Sequence, residues 1–169
     1  FYKGKRILVT GGTGSIGSEI VRQLLACEPA VVRILSRDDT KQAELEQTLG
    51  RPANLRYMIG DVRDVYRTKR AMEGIEIVFH AAAMKHVPTC EYNPFEALQT
   101  NAVGTQNVIQ AALDARVKRL VVISTDKAVN PVNAMGASKL LGERIAIAAG
   151  STWATKTKIC AVRFGNVLG

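Results

Sequence analysis

Three glycines that follow a short apolar segment constrain the fold of this chain more than any other feature. Residues 7–10 read Ile-Leu-Val-Thr, as in a short buried strand, and the apolar residues after Ser18 recur at helical spacing. Between them, Gly12, Gly14 and Gly17 are spaced as G-x-G-x-x-G. Such a turn from a strand into a helix lets a pyrophosphate approach the backbone amides at the start of the helix. The pattern predicts a dinucleotide-binding turn, and a glycine-rich turn that packs without a ligand is the alternative.

Apolar strand-like segments and helix-like segments alternate along the rest of the chain. Predicted strands cover residues 30–36, 55–59, 75–79, 118–124 and 158–164. Predicted helices run from Asp38 to Gly50, from Pro94 to Ala115 and from Asn133 to Ala149, where Gly150 closes the last one. This alternation is typical of an α/β fold with a Rossmann-like, doubly wound parallel sheet and helices on both faces. We expect one domain over residues 1–169, with ligands at the carboxyl ends of its strands.

The residues that follow the second and third strands bear on which cofactor binds. Arg37 lies where enzymes that use NAD carry an acidic residue, and Lys41 lies one turn further on. Both cations favour the 2′-phosphate of NADP, and a solvated surface pair is the alternative. Asp38 is interpreted as the N-cap of the next helix. Asp61 ends the third strand, where it either accepts the adenine amino group or caps the helix that follows.

The net charge of +8 raises nucleic acid or a membrane surface as partners. The cations are scattered and aromatic residues make up only 5% of the chain, so the sequence favours a basic site for a doubly phosphorylated ligand over a nucleic-acid surface. No apolar run reaches the roughly 20 residues of a membrane span. Cys27, Cys90 and Cys160 show no metal-ligand or disulfide spacing. Their pattern predicts no metal site and a reducing, cytoplasmic compartment.

A hydroxyl, a carboxylate and an ammonium group follow one another where the fifth strand ends. Ser124 is followed directly by Thr125, Asp126 and Lys127. A loop that only reverses the chain does not need these three reactive side chains in succession. The alternative for the carboxylate and the ammonium is a local ion pair or cap. Lys139 lies on an otherwise apolar helix, where an ammonium group is costly to bury unless an anionic group meets it.

Seven stretches of the chain form recognisable motifs. They are Thr10-Gly11-Gly12-x-Gly14-x-x-Gly17, Ser36-Arg37-Asp38-x-x-Lys41, His80-Ala81-Ala82-Ala83-Met84-Lys85-His86-Val87-Pro88, Asn101-x-x-Gly104-Thr105, Ser124-Thr125-Asp126-Lys127-Ala128-Val129-Asn130-Pro131, the helix of Lys139, and Arg163-Phe164-Gly165-Asn166-Val167-Leu168-Gly169. Together they resemble the extended short-chain dehydrogenase/reductase family and, within it, the inverting UDP-N-acetylglucosamine 4,6-dehydratases of bacterial polysaccharide biosynthesis. The resemblance covers essentially the whole chain, and the Ser-Thr-Asp-Lys segment is its most specific part.

The resemblance implies NADP as the cofactor, with NAD as the other candidate, and a UDP-sugar as the substrate. The implied cofactor contacts are Gly11, Thr13, Gly14, Ser15, Ile16, Gly17, Ser36, Arg37, Asp38, Lys41, Asp61, Val62, Ala81, Ala82, Ala83, Lys85, Asn101, Ser124 and Lys139. The implied sugar-nucleotide contacts are Lys85, His86, Thr125 and Asn166. A lone histidine such as His86 is, however, more often a structural hydrogen-bonding group than a catalyst.

The resemblance also implies a mechanism. A hydride moves from sugar C4 to the cofactor, which leaves a 4-keto sugar with an acidic C5 proton. Lys127 would remove that proton, Asp126 would protonate the departing 6-hydroxyl, and the hydride would return to C6. Protonation of C5 from the opposite face would then give the inverted 4-keto-6-deoxy sugar. Thr125 would hydrogen-bond the C4 oxygen, and Lys139 would bind the nicotinamide ribose. Lys127 must be neutral when it acts, through desolvation or through nearby cations such as Lys139.

Met135 departs from the wider family, which has tyrosine four residues before the lysine of this helix. The tyrosine takes the C4-hydroxyl proton, and a thioether cannot accept that proton at neutral pH. A branch of the dehydratases is similar in carrying methionine there. The C4 base is then Asp126 acting through Thr125, Lys139, or a water molecule.

Family members continue into a smaller C-terminal domain that closes over the sugar nucleotide, and this chain ends before it. We therefore expect residues 1–169 alone to bind the cofactor with little turnover. The resemblance implies a homo-oligomer at full length, in the cytoplasm or at the cytoplasmic face of a membrane if a spanning region precedes Phe1. The alternatives are a sugar-nucleotide epimerase of the same family and an NADP-binding module without catalysis.

Overall fold

Six strands form one parallel sheet in the computed structural model, which describes residues 1–151 and 156–167. The strands are β1 (Arg6–Thr10), β2 (Val31–Ser36), β3 (Leu55–Ile59), β4 (Ile77–His80), β5 (Arg119–Ile123) and β6 (Lys158–Val162). Their order is β3-β2-β1-β4-β5-β6, so the strand order reverses between β1 and β4. The predicted doubly wound parallel sheet is confirmed, and its switch point lies beside the glycine-rich turn.

Seven α-helices are present in the described part of the chain. They are α1 (Ser15–Leu25), α2 (Asp39–Thr48), α3 (Val65–Met72), α4 (Val87–Tyr92), α5 (Pro94–Leu98), α6 (Gly104–Asp114) and α7 (Ala134–Ser151). The long helix predicted from Pro94 is confirmed as α5 and α6, joined by the π-helical turn Gln99–Val103. The sequence patterns do not predict α3 and α4, because each is too short to show repeated apolar spacing. Across the described residues, no helix is both long and apolar enough to cross a membrane.

The central strands are apolar on both faces because helices cover the sheet on both sides. Ile7 and Val9 of β1 pack with Val21 of α1, and all three side chains are fully buried. Leu8 points to the opposite face and packs in the cluster that contains Ile109 of α6. Burying one such aliphatic side chain contributes about 1.5–3 kcal/mol. The near-continuous apolar strands are therefore explained by two cores, one on each face of the sheet.

The end of α7 differs from the prediction. Gly150 was expected to close the helix, yet α7 continues through it to Ser151. A Cβ atom on Gly150 would lie 3.1 Å from the carbonyl oxygen of Ile159 on β6. The glycine therefore allows α7 to pack closely against β6, and close packing rather than helix termination explains a glycine at this position.

His80 joins three elements at the carboxyl edge of the sheet. Its Nδ1 lies 2.6 Å from Thr10 Oγ1 of β1, and its Nε2 lies 3.0 Å from Thr105 Oγ1 of α6. Thr105 donates its own hydroxyl proton to the carbonyl oxygen of Asn101 at 2.7 Å. His80 therefore donates from Nε2, and in the neutral imidazole its Nδ1 accepts from the Thr10 hydroxyl. Burial, together with the charge on Lys139, lowers the pKa of His80 to about 3.

The burial of His80 predicts that the free energy of unfolding depends on pH. The folded-state pKa lies below the ordinary value of 6.5, so between pH 6.5 and 3 the unfolded chain binds a proton that the folded chain does not. The free energy of unfolding should fall as the pH drops through this window, by about 1 kcal/mol between pH 7 and pH 5.5 from His80 alone. The difference should disappear in His80→Gln, which is itself destabilised by about 1–3 kcal/mol.

Urea denaturation of both proteins at pH 7 and pH 5.5 measures this contribution. His86→Gln is the matched control, because it removes the exposed histidine and should keep the wild-type pH dependence. An equal loss of stability in wild type and His80→Gln would contradict the assignment of a neutral, buried His80.

Candidate functional site

The glycine-rich turn contacts the loop after β4 through backbone atoms. Gly11 adopts a φ of 68°, and a Cβ atom there would lie 2.6 Å from the backbone nitrogen of Ala82. A Cβ atom on Gly17 would collide with the carbonyl oxygen of Gly11. At Gly14 the nearest atom is 3.4 Å away, and this residue is the N-cap of α1. Gly11 makes the turn, Gly17 allows α1 to start against it, and Gly14 leaves room above the first amides of the helix.

A groove of about 440 Å³ runs along the carboxyl edge of the sheet from the end of β3 to the loop after β4. Its volume lies in the range of small-molecule sites. Sixteen of the predicted cofactor residues line it, and so does His86. The sixteen are Gly11, Thr13, Gly14, Ser15, Ile16, Gly17, Ser36, Arg37, Asp38, Lys41, Asp61, Val62, Ala81, Ala82, Ala83 and Lys85. Asn101, Ser124 and Lys139 do not line it.

The groove accounts for little of the net charge of +8, contrary to the expectation from composition. Three cationic residues line it, against two aspartates. A second cavity of about 300 Å³, at the amino ends of the strands, is lined by five cations and one glutamate. The site expected to hold phosphates is therefore close to neutral. Phosphate binding there depends on backbone amides and on individual cations rather than on a strongly basic surface.

The polar residues at the β2 and β3 ends of the groove are arranged as helix caps and ion pairs. Asp38 accepts a hydrogen bond from the Lys41 amide at 3.0 Å, which confirms it as the N-cap of α2. Arg37 Nη1 lies 3.7 Å from Asp61 Oδ2, with the arginine side chain 57% exposed. The cap of α3 is Asp64, so the alternative role of Asp61 as that cap is wrong.

Asp61 is held ionised in the groove by Arg63. Its Oδ2 accepts from Arg63 Nε at 2.9 Å, and its Oδ1 accepts from the Arg63 amide at 2.9 Å. Partial burial opposes ionisation, but these hydrogen bonds outweigh it and hold the pKa of Asp61 below its usual range. The carboxylate is therefore a fixed acceptor, which is the form that an adenine amino group would require.

Thr100 is a groove residue that the sequence patterns do not single out. It lies on the π-helical turn, it is buried, and its Oγ1 has no hydrogen-bond partner among the described residues. A buried hydroxyl without a partner costs about 1–3 kcal/mol. Because this oxygen is inaccessible from the groove, the fit to a dinucleotide rests on the open backbone above Gly14 and on the groove lining.

Asn101 lies behind the groove and positions one of its walls. Its Oδ1 accepts from the Met84 amide at 2.8 Å, and its Nδ2 donates to the Met84 carbonyl and to Ser138 Oγ, both at 3.0 Å. The structure thus gives Asn101 a positioning role, and the expected cofactor contact stays a prediction. Across the groove, Lys85 Nζ donates to Ser15 Oγ at 3.4 Å, so the loop after β4 reaches the glycine-rich turn.

The residues at the end of β5 form a compact polar turn. Thr125 Oγ1 donates to Asp126 Oδ1 at 2.9 Å, and Lys127 Nζ donates to the same oxygen at 3.5 Å. Lys127 Nζ also donates to Asn166 Oδ1 at 3.2 Å. The Thr125 hydroxyl and the Lys127 charge lower the pKa of Asp126. The ion pair that the sequence left as an alternative is therefore present, and an acid–base role for these two residues stays a prediction.

Lys139 and Met135 lie one turn apart on α7 in different surroundings. Lys139 Nζ donates to the Ile123 carbonyl oxygen at 2.6 Å. Burial lowers the pKa of Lys139 to about 8, against the opposing effect of Glu143. Met135 is 4% exposed and packs with Cys90 and Ala97 in an apolar cluster, as expected of a residue that transfers no proton. Leu168 and Gly169 of the last motif lie outside the described residues.

The known proteins that are similar to this chain do not all have the same activity. An uncharacterized membrane protein of Methanocaldococcus jannaschii is 58% identical over 169 residues. An inverting UDP-N-acetylglucosamine 4,6-dehydratase of Campylobacter jejuni is 46% identical over 170 residues, and a UDP-glucose 4-epimerase of Rickettsia rickettsii is 45% identical over 172. Each match covers 99% of this chain but only 50–51% of the relative, so the chain spans about half the length of the curated relatives it matches.

A solved structure and a protein family agree with these matches. The dTDP-glucose 4,6-dehydratase DesIV of Streptomyces venezuelae, solved with NAD and TYD bound, superposes with a TM-score of 0.82 at 31% identity. That match covers 94% of this chain and 55% of DesIV. The family described as polysaccharide biosynthesis protein matches residues 7–169. The chain therefore belongs to the polysaccharide biosynthesis protein family, a group of extended short-chain dehydrogenase/reductase sequences that includes sugar-nucleotide dehydratases and epimerases.

Proposed function

We propose that the intact protein is an NADP-dependent 4,6-dehydratase that acts on UDP-N-acetylglucosamine with inversion at C5, in the synthesis of polysaccharide or glycan precursors. The observation that carries the proposal is the Asp126–Lys127 pair beside Thr125 at the end of β5. Epimerisation at C4 needs only hydride transfer and one proton transfer at the C4 oxygen. Elimination of the 6-hydroxyl needs, in addition, a base for the C5 proton and an acid for the leaving group, and this pair supplies both.

Each residue of the pair has a defined task in this mechanism. Bound in the groove, a nicotinamide cofactor would supply the acceptor for the hydride from sugar C4 and its later return to C6. Thr125 hydrogen-bonds the C4 oxygen, and Lys127 removes the C5 proton that the 4-keto group has acidified. Asp126 protonates the departing 6-hydroxyl. After the hydride has been added at C6, a solvent-derived proton delivered to C5 from the opposite face gives the inverted 4-keto-6-deoxy sugar. Lys85, His86 and Asn166 hold the sugar nucleotide.

The observed ion pair is one proton shift away from the state that the mechanism requires. With Lys127 charged and Asp126 ionised, neither can act, but transfer of one proton from Nζ to Oδ1 across their 3.5 Å separation gives a neutral amine and a carboxylic acid. Both side chains are about half exposed, so water now favours the charged form. A sugar that displaces this water would favour the neutral form, because desolvation penalises both charges.

The base for the C4 hydroxyl is not Met135, whose thioether lies in an apolar cluster. Among the three alternatives, Lys139 has support from its surroundings. Its pKa is lowered to about 8 by burial, which brings the neutral amine within reach at physiological pH. Asp126 acting through Thr125 is the second path, because the two side chains share a 2.9 Å hydrogen bond.

Incubation of the full-length enzyme with UDP-N-acetylglucosamine in deuterated water tests the function directly. A dehydratase gives a 4-keto-6-deoxy sugar with deuterium at C5, detectable by NMR. The second candidate, an epimerase, is favoured by the 45% identical relative and gives a C4-inverted sugar with its 6-hydroxyl intact. Unchanged UDP-N-acetylglucosamine would contradict the proposed dehydratase.

Cofactor preference gives a first prediction. The related DesIV structure holds NAD, so a preference of this chain for NADP depends on Arg37 and Lys41. Arg37→Ala should weaken NADP binding about tenfold or more and leave NAD binding nearly unchanged, because only NADP offers a phosphate to the guanidinium group. Titration calorimetry with each cofactor measures this, and Arg70→Ala, an exposed arginine outside the groove, is the control. Equal losses for the two cofactors would refute the assignment.

The acid–base pair gives a second prediction. Lys127→Ala and Asp126→Asn should each lower turnover by about 10²–10⁴, the usual contribution of a general acid or base, with NADP affinity intact. Met135→Leu keeps the apolar volume and should cost far less than either. Rapid-quench assays of C5 deuterium exchange separate the two roles, since exchange needs only the base. Exchange at the wild-type rate in Lys127→Ala would return Lys127 to the role of a local ion-pair partner.

The length of the relatives gives a third prediction. They are about twice as long as this chain, and the groove described above lies within residues 11–100. Purified residues 1–169 should therefore bind NADP but show little or no dehydration, because turnover requires the sugar to be held in register with the nicotinamide. Fluorescence of the bound reduced cofactor and NMR of the sugar measure the two properties separately. Dehydration at a rate near that of the full-length enzyme would contradict this division of the site.

A further inference from the structure

Glu143 is a buried carboxylate to which the mechanism above assigns no task. It lies on α7, one turn beyond Lys139, and it is only 4% exposed. Hydrogen bonds from Arg163 lower the pKa of Glu143; burial opposes this effect and a bond from Ser124 adds to it. A buried carboxylate is stable only where such partners surround it, so the site is built for an anion.

The partners of Glu143 belong to two different strands. Ser124, the first residue after β5, donates from Oγ to Glu143 Oε2 at 2.8 Å. Arg163, the first residue after β6, donates from Nε to the same oxygen at 2.8 Å and from Nη2 to Oε1 at 2.5 Å. One carboxylate on α7 therefore joins the carboxyl ends of two neighbouring strands through a bidentate pair and a hydroxyl.

The two strand ends continue side by side beyond the sheet and carry the groups proposed for catalysis. The Ser124 amide donates to the Val162 carbonyl at 2.7 Å, and the Asp126 amide donates to the Phe164 carbonyl at 3.1 Å. Arg163 lies between these two acceptors. Two residues beyond Phe164, Asn166 accepts from Lys127 Nζ at 3.2 Å. A shift of either segment along the other would move Asp126, Lys127 and Asn166 relative to one another.

We propose that Glu143 is a positioning residue that fixes the segment after β5 against the segment after β6, and thereby sets the geometry of Asp126, Lys127 and Asn166. It acts through Ser124 and Arg163 and touches no reacting atom. Ser124 directs its hydroxyl to Glu143, so its part in the site is to receive this constraint. The consequence for turnover rests on the proposed function, whereas the coupling of the two segments does not.

Hydrogen exchange in the full-length protein tests the coupling without any substrate. Glu143→Gln keeps the side-chain volume but replaces one acceptor oxygen with a donor that faces Arg163. Amide exchange in peptides covering residues 122–128 and 160–166 should rise about tenfold, with less than a twofold change in peptides from β1 and β2. Ile109→Val is the control, because it removes one methyl group from the core outside the site and should not loosen these two segments selectively.

The proposal would be overturned if the amides of neither segment exchanged faster in Glu143→Gln than in the wild type. Should that variant not fold, Arg163→Lys tests the same contact, since the arginine side chain is 42% exposed and lysine keeps the charge but loses the bidentate geometry. Faster amide exchange confined to residues 122–128 and 160–166 is again the expected result, and its absence in Arg163→Lys would again overturn the proposal.

Kinetics then distinguish positioning from general stability. Glu143→Gln should lower kcat about 10- to 100-fold, while KM and the Kd of the cofactor change less than about twofold, because misplacement of the acid–base pair affects the chemical step. Adding Arg163→Gln to Glu143→Gln should lower kcat little further, because both changes break the same contact. Loosened segments with wild-type kcat would overturn the positioning role. A wild-type enzyme that neither dehydrates nor epimerises its sugar would instead overturn the proposed function, and the exchange result would still decide the coupling.

Discussion

The groove depends on the absence of side chains at positions 11 and 17. Strands β1 and β4 are neighbours at the switch point, so the turn after β1 and the loop after β4 leave the sheet side by side. A Cβ atom on Gly11 would meet the backbone of Ala82, and one on Gly17 would meet Gly11 itself. Either substitution would push α1 or the loop after β4 outward and remove the close approach on which the groove is built. The direction of α1, and with it the amides that face the groove, follows from these two positions.

A second constraint comes from buried polar side chains that tie loops to one another at the carboxyl edge. A chain of hydrogen bonds runs from β1 to the π-helical turn through Thr10, His80, Thr105 and Asn101. Asn101 extends this chain to Met84. Glu143 does the same for the ends of β5 and β6. The two hydrophobic cores cover the faces of the sheet, and its carboxyl edge is lined by polar side chains instead. Loops that are anchored by such hydrogen bonds can hold functional groups in fixed positions. Thr100 and Tyr57 differ from these residues, because their buried hydroxyl groups have no hydrogen-bond partner in the described part of the chain.

Sequence reasoning succeeds where a local pattern determines the structure. The order of strands and helices, the cap at Asp38 and most of the groove lining follow from periodicity, from glycine spacing and from the rule that ligands bind at carboxyl ends of parallel strands. It fails where contacts distant in sequence decide. Nothing local distinguishes a helix-ending glycine from Gly150, which is required by the close approach of β6. The roles of Asn101 and Glu143 likewise depend on partners 17 to 37 residues away, and that of Thr100 depends on the lack of a partner. No spacing within the sequence encodes these roles.

A dehydratase and an epimerase with this fold differ in the number of proton transfers that their reactions require, not in the fold itself. Relatives with the two activities match this chain at 46% and 45% identity, so overall similarity cannot separate them. Both reactions use a hydride transfer at C4 and therefore the same groove. Elimination adds one proton to remove and one to deliver, and it needs a base and an acid close together that are neutral at the same time. Lys127 Nζ and Asp126 Oδ1 lie 3.5 Å apart and their side chains are about half exposed, so under the proposed function the pair would act only when a bound sugar excludes water from it. The proposed difference between the two activities would therefore lie in whether the bound sugar displaces water from the turn at the end of β5.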